Sequence, residues 1–583
     1  MSPRRRVAAA AVLVSTALAG APALASPAPV AGSDDRPVAR AADRYGVSEG
    51  ALRHRMQGDP GFRITPSGVA LSIDPAPKGP PSPSMVAKAF PLEDTFKLHS
   101  KPGSQRTIYL DFDGATVSNT IWNTDFDGPA NPGVPVPAGN HPAMDLAGNG
   151  PAFSNSEKLQ IQDIFQRVAE DYAPFDVDVT TEEPPAAALD RANAGDQVYG
   201  TRAVISPSTS AASAICQSQC GGVAFIGVFN HYAGKGNDAT GHQQYQPAWI
   251  FPQMLTQGNL VKNIAEATTH EVGHNLGLDH DGTSTLGYYA GHNGWAPIMG
   301  VGYSQPIVQL ALSDYPGAKL GGPGPGSAQS NPDDVATIAA FGAPQRADEP
   351  GTSIGNAGPV PTGSAYISSR TDVDYYALGT CAGNVSVAAN NAPVSPNLDI
   401  EVQLLRADGT TVAVDDPVSS AATLDVANGM DATATGTGLP PGQYFARIDG
   451  VGRGTATTGY TDYGSLGAYT LQVTGCSPAT KPRKPRIGKA SPGKRGGRLS
   501  AKVAWRPPSG TTSPAVDGYR AVAYRQNKKG RYVKVSTSPV QGAKVRSIEF
   551  STNVRARLKF AVQAHNALGW GPLSKRSNAV RPR

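Results

Sequence analysis

The stretch TTHEVGHNLGLDHDG, at positions 268–282, constrains the fold more than any other part of this chain. It contains the pattern H-E-x-x-H-x-x-G-x-x-H. His270 and His274 are four residues apart, so on a helix they lie on one face, one turn apart, and both imidazoles reach a common ion. Gly277 allows a sharp turn that brings His280 back towards the same point. The pattern therefore predicts a helix that ends in a turn beside a metal site with three nitrogen ligands.

The residue types in this pattern indicate catalysis. Three nitrogen ligands with an open fourth position are typical of catalytic Zn²⁺, whereas structural zinc sites are closed. Glu271 points off the histidine face, which suits a general base better than a ligand. It would take a proton from a zinc-bound water that attacks a peptide carbonyl, and later pass it to the leaving amine. The alternative is a core helix that holds histidines by chance. With 10 histidines in 583 residues, the pattern is expected on the order of once in 10⁵ such chains.

The segment HEVGHNLGLDHD resembles the zinc-binding segment of the metzincin proteases. Asp281, directly after the third histidine, resembles the adamalysin (reprolysin) branch. The resemblance implies that His270, His274 and His280 bind zinc and that Glu271 is the base. We therefore expect a zinc metalloendopeptidase, a hydrolase that cuts protein or peptide substrates.

The same resemblance predicts further parts of the site. Metzincins have a methionine turn below the metal, which APIMGVGY (296–303) matches, so Met299 is expected to support the site without binding the ion. The edge strand of the sheet pairs with extended substrate in this family, and GGVAFIGVFN (221–230) is the expected edge strand. Trp295 and Tyr303 are predicted substrate contacts. Tyr303 stands four residues after the methionine, whereas astacin-like relatives have a tyrosine two residues after it.

The first residues resemble a secretory signal peptide, predicted to span 1–25. Arg4, Arg5 and Arg6 form a basic start, an apolar stretch follows, and Ala23-Leu24-Ala25 is a cleavage site of the A-x-A type. The alternative is a short membrane anchor, although the apolar stretch is shorter than the ~20 residues that span a bilayer. No later segment is long and apolar enough to cross one, so a secreted, extracellular protein is predicted.

Residues 26–100 are proline-rich and precede the catalytic unit, so they are predicted to be a pro-region that makes the protein a zymogen. One helical patch is expected at 41–56, and a disordered spacer is the alternative. No cysteine precedes Cys216, which excludes the cysteine switch that adamalysins commonly use. The tetrapeptide MQGD, which ends at Asp59, resembles the aspartate switch of astacins; the alternative is an ordinary turn.

The fold class predicted for residues 101–345 is α/β, a metzincin-like catalytic domain with a twisted mixed sheet and the active-site helix against it. Apolar periodicity predicts its elements in the order strand, helix, several strands and helix. The predicted strands are 106–113, 175–181, 201–207, 221–230 and 247–252, and the predicted helices are 156–172 and the one that begins at Asn259.

Two all-β sandwiches are predicted after the catalytic domain. A linker at 346–363 leads to residues 364–476, which resemble the bacterial pre-peptidase C-terminal domain through DVDYYAL, NLDIEVQL and PGQYFARIDG. The resemblance implies a domain of the kind that trails secreted proteases and is either removed or used to bind matrix. A basic linker at 477–497 leads to residues 498–583, which resemble fibronectin type III through VDGYRAVAY and FAVQAHNALGWGPLS.

The four cysteines are even in number, as in secreted proteins with disulfides. Cys216 and Cys220 are expected to close a small loop, and Cys381 and Cys476 to tie the ends of one stretch. Free thiols or metal ligands are the alternatives. Ca²⁺ is a further candidate ion, because secreted relatives often bind it, although the sequence has no D-x-D-x-D-G loop.

Charge is divided unevenly along the chain. Residues 481–583 hold 25 lysines and arginines and two acids, Asp517 and Glu549, so they carry a formal charge of +23, whereas the whole chain carries +5. The functional interpretation is attraction to an anionic surface or polymer. The alternative is a solvated basic module that rests on the acidic catalytic part. No nucleic-acid motif accompanies the charge.

The sequence thus predicts a secreted zinc endopeptidase, and two other functions stay open. The chain could be a surface-binding adhesin whose protease domain is vestigial. It could also be a protease that acts mainly on its own chain. The intact zinc-binding pattern and Met299 favour an active enzyme over the adhesin.

Overall fold

A computed structural model of the chain describes residues 36–59, 61–78, 81–82, 90–126, 135–148, 150, 152–217, 219–318, 333–349, 351–477, 480–494, 496, 498–510, 515–566 and 568–583. The predicted signal peptide lies outside these residues. Among the helices of the described residues, none has both the length and the apolar character needed to cross a membrane.

The N-terminal part of the described chain folds into helices and strands, where a disordered spacer was the alternative. Two helices replace the single patch expected at 41–56, because Ser48 caps a second helix with its side chain and Gly46 turns the chain with a φ of 67°. The elements are α1 (Arg36–Tyr45), α2 (Glu49–Gly58), β1 (Phe62–Ile64), β2 (Ala70–Pro75) and β3 (Pro81–Ser82).

The next part of the chain, up to residue 343, holds the remaining strands and helices around one mixed sheet. Its elements are β4 (Arg106–Asp111), β5 (Ala115–Val117), α3 (Ile121–Thr124), β6 (Gly139–His141), α4 (Asn155–Asp171), β7 (Asp178–Thr180), α5 (Ala186–Leu189), β8 (Tyr199–Ile205), α6 (Thr209–Cys216), β9 (Cys220–Phe225), β10 (Ala248–Ile250), β11 (Gly258–Asn259), α7 (Leu260–Asn275), β12 (Trp295–Pro297), β13 (Ile307–Gln309) and α8 (Asp334–Ala340).

The main sheet has seven strands in the order β1-β2-β9-β10-β8-β4-β7. Strands β7, β4, β8 and β10 run parallel to one another, whereas β9 runs antiparallel to β10 and to β2. We expected β9 at the edge of the sheet. In the structure the N-terminal strands β2 and β1 continue the sheet beyond β9 and cover that edge.

The two faces of this sheet are covered by different helices. On one face, α4 and α7 pack against strand residues such as Ile108, Ala203 and Ile250 in one buried cluster. On the other face, α3 and α6 pack with Trp249 and Phe225 in a second cluster. The sheet is thus buried on both sides, as parallel strands require, and α7 packs across one of its faces.

Both long helices begin at residues whose side chains cap the helix N-terminus. Ser154 caps α4 and forms a capping box with Glu157, whose carboxylate accepts from the Ser154 amide at 2.8 Å. Asn259 caps α7, with its side chain accepting from the Lys262 amide at 3.2 Å. The helix that carries the metal-site pattern therefore begins where its sequence predicts.

Contacts near residue 100 place part of the predicted pro-region in the core of the catalytic unit. Leu98 belongs to the same buried cluster as α4 and α7. The Ser100 amide donates to the Val179 carbonyl at 2.9 Å, and His99 bridges to Thr180. Residues 90–100 therefore pack with the catalytic unit. The N-terminal segment, residues 36–75, precedes them and contributes β1 and β2 to the main sheet.

The following unit is a β-sandwich-like sheet of seven strands. Its core is a separate buried cluster, and Cys381 and Cys476 form a disulfide between two of its long strands. The strands are β14 (Gly358–Pro359), β15 (Ala365–Ile367), β16 (Val373–Asn391), β17 (Ile400–Arg406), β18 (Thr411–Asp415), β21 (Ala432–Gly450) and β22 (Gly467–Ser477), with β19 (Ser420–Ala421) and β20 (Ala427–Asn428) as a small separate pair.

The C-terminal unit has two sheets around Trp505, Tyr519 and Phe560. Part of the predicted basic linker forms β23 and β24, which pair with β25. The strands are β23 (Arg486–Ile487), β24 (Ser491–Pro492), β25 (Ser500–Arg506), β26 (Gly518–Gln526), β27 (Tyr532–Thr537), β28 (Gln541–Gly542), β29 (Ser547–Ser551), β30 (Leu558–Asn566) and β31 (Gly569–Trp570). The predicted multidomain class, a mixed sheet region followed by sandwich-like sheets, is confirmed at this level; the metzincin assignment stays a prediction.

The first sandwich packs directly on the helices that carry the site. Asp425 accepts a hydrogen bond from the Asn259 side chain at 2.7 Å and lies 3.1 Å from Arg167 of α4. The Asn397 side chain donates to Asp171 at 2.8 Å. The cap of α7 and the last turn of α4 are therefore held by residues of the second unit.

Candidate metal centre

Helix α7 and the turn after it bring three imidazoles together. The ring centroids of His270 and His274, one turn apart on α7, are 4.9 Å apart, and the His280 ring lies 4.9 Å from that of His274 and 5.4 Å from that of His270. The ring nitrogens Nε2 of His274 and His280 are 3.1 Å apart. The three predicted ligands are buried and converge on one point.

The outer nitrogen of each ring is held by an oxygen acceptor. Nδ1 of His270 bonds to the Ile298 carbonyl, and Nδ1 of His274 to the Leu278 carbonyl, each at 2.9 Å. A carbonyl only accepts, so both Nδ1 atoms carry the proton and both Nε2 atoms are left as lone-pair donors. For His280 the acceptor is the carboxylate of Asp59, at 2.9 Å from Nδ1.

A fourth side chain, Asp74 of β2, faces the same point. Its carboxylate lies 2.7 Å from Nε2 of His280, 3.3 Å from Nε2 of His274 and 3.5 Å from Nε2 of His270. The phenol of Tyr288 donates to Asp74 at 2.8 Å. One ligand atom from each of Asp74 and the three histidines lies within 4.8 Å of the others, which is compatible with one shared cation.

Glu271 is fully buried beside this cluster, against strand β9. A Cβ atom built on Gly222 of β9 would overlap the Glu271 carboxylate, so that strand leaves room for it. Burial, together with the nearby carboxyl of Asp74, raises the pKa of Glu271 well above its usual range. A raised pKa suits a group that must both accept and donate a proton near neutral pH.

The turn and the methionine support the histidines from below. Gly277 has a φ of 86°, and a Cβ there would overlap the Phe341 ring, so only glycine fits without strain. Met299 is fully buried, and a Cβ on Gly273 would lie 2.8 Å from its Sδ atom. The Asp281 amide donates to the Met299 carbonyl at 2.8 Å and links the two stretches.

Charge at the site is balanced around the three imidazoles. Burial opposes ionisation of Asp74, but the three histidines hold its pKa well below its usual range. Burial also opposes protonation of His280, but the carboxylates of Asp59 and Asp74 raise its pKa to about 10. The pKa of His274, by contrast, falls to about 4 because of its burial. The two carboxylates therefore favour a positive charge on His280, whereas burial favours the neutral form of His274.

The donor set fits a zinc ion. The distance of 3.5 Å from Nε2 of His270 to Asp74 is too long for a good hydrogen bond. This buried nitrogen therefore has no hydrogen-bond partner among the described residues. Buried polar atoms without partners need an explanation such as an ion. Three imidazole nitrogens and one carboxylate oxygen are a donor set that Zn²⁺ accepts.

Two predicted substrate contacts lie in different surroundings. Tyr303 is half-buried near the cluster, where burial, with the carboxyls of Asp74 and Glu271, raises its pKa well above its usual range. Trp295 is buried in a separate cluster with Ile307 and Tyr315, and its indole N–H donates to Gln309 at 2.8 Å. Contact of either residue with substrate stays a prediction.

Sequence reasoning missed Asp74 and Tyr288. The resemblance of MQGD to the aspartate switch indicated Asp59 as one candidate, with an ordinary turn as the alternative, and in the structure Asp59 contacts the outer nitrogen of His280. Nothing local to Asp74 distinguishes it from other acids, because its place depends on the pairing of β2 with β9. The described chain forms both predicted disulfides, Cys216–Cys220 and Cys381–Cys476.

Other acidic groups bear on the calcium prediction. Carboxylate oxygens of Asp348, Glu349 and Asp374 lie close enough together to share one ion. Acidic groups of this kind are common on protein surfaces, so calcium binding stays a prediction.

Comparison with known proteins adds little to this description. No family model matches the chain, and no curated protein matches it. Among solved structures, it is similar to titin kinase with its flanking domains, at 21% identity over 18% of this chain and 17% of that chain, with a TM-score of 0.13. It is also similar to the sixth fibronectin type III domain of human fibronectin type III domain containing protein 3, at 21% identity over 19% of this chain and 91% of that chain, with a TM-score of 0.13.

Proposed function

We propose that this chain is a secreted zinc-dependent endopeptidase, with His270, His274 and His280 as the zinc ligands and Glu271 as the general base. The observation that carries the proposal is the convergence of three buried Nε2 atoms, whose Nδ1 atoms are held by oxygen acceptors, beside a buried glutamate. The resemblance of residues 268–282 to the metzincin segment supports the same function.

The ligands and Glu271 have different roles in the proposed peptide hydrolysis. His270, His274 and His280 would hold a Zn²⁺ ion, which would supply Lewis acidity and lower the pKa of a bound water. Glu271 would accept a proton from the attacking water and then donate it to the leaving amine. Burial of Glu271 and its raised pKa support this double role.

Strand β9 is the proposed binding strand for substrate. It offers backbone groups on the side away from β10, and β2 of the same chain already uses them: Leu71 pairs with Phe225 and Ile73 with Val223. A substrate strand would pair in the same way by β-addition. Secretion is proposed from the resemblance of residues 1–25 to a signal peptide, and the two disulfides are consistent with it.

The variant Glu271→Gln tests the proposed base, because it keeps the shape of the side chain and removes its basicity. We expect protein freed of its N-terminal segment to keep one zinc per chain and to lose about 10²–10⁴-fold in kcat against a peptide library. The matched control is Glu266→Gln on the same helix, which should keep zinc and activity. Elemental analysis and the cleavage profile, with chelator and zinc add-back, are the measurements.

The result also separates the alternatives. Zinc binding without cleavage of any peptide by the wild type would favour the vestigial domain of a surface-binding adhesin. Cleavage confined to the chain's own N-terminal segment, absent in Glu271→Gln, would favour a protease that acts mainly on itself. Activity that survives in Glu271→Gln would contradict the assignment of the base.

A further inference from the structure

A cavity of about 1000 Å³ lies where the first sandwich meets the helices of the catalytic unit. One wall is formed by Asp163 and Arg167 of α4 and by Asn259, the cap of α7. The other wall is formed by two stretches of the sandwich, residues 390–396 and 423–431. Its volume is at the upper end of the range for pockets that hold ligands. The histidines and Glu271 of the metal centre do not line it, so it is a separate site.

Polar side chains in the wall of this cavity lack partners. Arg167 is only 5% exposed, and its Nη1 has no hydrogen-bond partner among the described residues, although Oδ1 of Asp425 lies 3.1 Å away. Both polar atoms of the Asn391 side chain are also buried without a partner. Buried polar groups in this state need an explanation, such as an absent ligand. An amide side chain offers a donor and an acceptor together, which complement the carbonyl and the N–H of a polypeptide backbone.

The rim of the cavity is apolar and its charge is negative. Leu424 is 49% exposed and Val426 is 46% exposed, although both are large apolar residues. Exposed apolar groups that cluster at a pocket indicate a binding surface. The charged residues of the wall are three acids and one arginine: Asp163, Asp425, Asp431 and Arg167. The excess of acids favours a ligand that carries a basic group as well as an apolar one.

Strands of the same chain lead from the metal centre to this cavity. Strand β9 is the proposed binding strand for substrate, and β2 pairs with it so that Asp74 faces the three histidines. Eight residues after Asp74, Ser82 of β3 pairs with Asn259 of β11. Asn259 lines the cavity and donates to Asp425 at 2.7 Å. A polypeptide that lies on β9 in the direction of β2 therefore reaches the cavity with residues that follow the bond at the metal.

We propose that this cavity is a second substrate-binding site, which holds a polypeptide about eight residues after the bond to be cut. The occupant presents its backbone to Asn391, an apolar side chain to Leu424 and Val426, and a basic side chain to the acids of the wall. This proposal rests on the proposed endopeptidase. It follows that the first sandwich takes part in substrate selection and that long, extended polypeptides are better substrates than short peptides.

Peptides of two lengths test this site in processed protein, which is the full chain after removal of its N-terminal segment. Both peptides carry the same cut sequence. The short peptide ends before the cavity, whereas the long one continues to it and carries leucine and arginine there. We expect the long peptide to have a KM about 10-fold lower, because contacts remote from the reacting bond bind substrate and transition state alike. Replacement of its arginine by glutamate should abolish this difference.

The variant L424S/V426S removes the apolar rim of the cavity. We expect it to raise KM for the long peptide about 10-fold, to the value for the short peptide, which is the internal reference for the metal centre. The matched control is V414S/L573S, which removes an equally exposed pair outside the cavity and should behave as wild type. Fluorescence anisotropy with the long peptide, in the inactive Glu271→Gln background, measures the same loss of binding without cleavage.

The outcomes distinguish this proposal from the proposed function. If both peptides have the same KM and bind Glu271→Gln equally tightly, the cavity holds no substrate, and the endopeptidase still stands. If L424S/V426S changes the kinetics of both peptides equally, the substitution disturbs the metal centre, and the role given to the cavity is wrong.

Two further results have equally definite meanings. If light scattering shows a wild-type dimer that L424S/V426S abolishes, and peptide length has no effect, the cavity joins two copies of the chain instead of holding substrate. If no form cleaves any peptide but L424S/V426S still weakens binding of the long peptide, the proposed function fails, and the cavity remains a binding site for polypeptide.

Discussion

Gly222 shows how one missing side chain permits the proposed chemistry. It lies on β9 beside Glu271, and a Cβ at this position would overlap the Glu271 carboxylate. We predict that Gly222→Ala moves the base and lowers kcat of the processed protein by about 10²-fold, with zinc content unchanged. Steady-state kinetics with a peptide substrate, together with elemental analysis, measures both quantities.

A glycine without this close contact serves as the control for Gly222. A Cβ on Gly241 would meet only the end of the Gln244 side chain, at 3.8 Å. Gly241→Ala should therefore keep the wild-type kcat. Full activity of Gly222→Ala would contradict the position assigned to Glu271, and loss of zinc would indicate a wider disturbance of the helix.

The residues of the site differ in how far the sequence alone predicts them. His270, His274 and Glu271 follow from helix periodicity, and Gly277 with His280 follows from the need for a turn, because all these constraints lie within a few residues. Asp74 and Tyr288 reach the site through strand pairing and a long loop. No local pattern encodes such pairing, so the sequence alone does not indicate that Asp74 faces the three histidines.

At the scale of elements, the last turn of α4 carries a buried acid against the first sandwich. Glu170 accepts from the Ala468 amide at 3.3 Å, and a Cβ on Gly467 would overlap its carboxylate. Burial is the largest cause that raises the pKa of Glu170, to about 8. The contact between α4 and β22 therefore favours the protonated acid.

This contact gives a prediction for the pH dependence of stability. The unfolded chain loses the Glu170 proton near its usual pKa of 4.5, whereas the folded chain keeps it up to a pKa of about 8. The stabilisation is therefore complete below pH 4.5 and is lost as pH rises towards 8. We predict that Glu170→Gln flattens the fall of Tm between pH 5 and 8 by several degrees, measured by calorimetry.

The exposed Glu93→Gln is the control for this titration and should follow the wild-type curve. Subtracting the variant's curve from the wild-type curve isolates the contribution of Glu170 from those of the other titratable groups. An unchanged slope in Glu170→Gln would mean that the acid is hydrated and ionised in the folded protein.

Elements were predictable where periodicity and caps agree. Helices α4 and α7 have apolar faces of helical spacing and begin at Ser154 and Asn259, which are good caps. Strands β1 and β2 lie in a proline-rich stretch with weak alternation, and their stability comes from pairing with β9. These two strands therefore form because of tertiary contacts, and the local sequence of residues 26–100 does not predict them.

At the scale of the whole molecule, charge separates the C-terminal unit from the rest. The outer face of the sheet β27–β26–β30 carries Arg520, Lys534 and Lys559, because the register pairs Tyr524 with both lysines and the alternate residues fill the core. The Arg520 guanidinium lies 4.0 Å from the Trp570 ring centroid. Glu549 lies on the opposite sheet, where it accepts from Ser500 at 2.7 Å. The other acid of this unit, Asp517, contacts His565 at 2.7 Å at one end of the same sheet, so cations outnumber carboxylates on this face.

We predict that this face binds an anionic surface through charge. Each lysine or arginine near such a surface contributes about 1 kcal/mol at low salt. The triple variant R520Q/K534Q/K559Q in the full chain should bind vesicles of anionic phospholipid about 10- to 100-fold more weakly than wild type, measured by co-sedimentation at 50 mM salt. Raising the salt should weaken wild-type binding, because exposed charges are screened.

The opposite sheet of the same unit supplies a control of equal charge change. That sheet carries three exposed basic residues, Arg486, Lys502 and Arg506. The triple variant R486Q/K502Q/R506Q therefore removes the same number of positive charges. If net charge alone drives binding, both triple variants lose affinity equally, and the assignment to one face is wrong. If neither variant loses affinity and vesicles of neutral lipid bind equally well, charge does not drive the binding. The basic unit would then be a solvated module that rests on the acidic catalytic part of the chain.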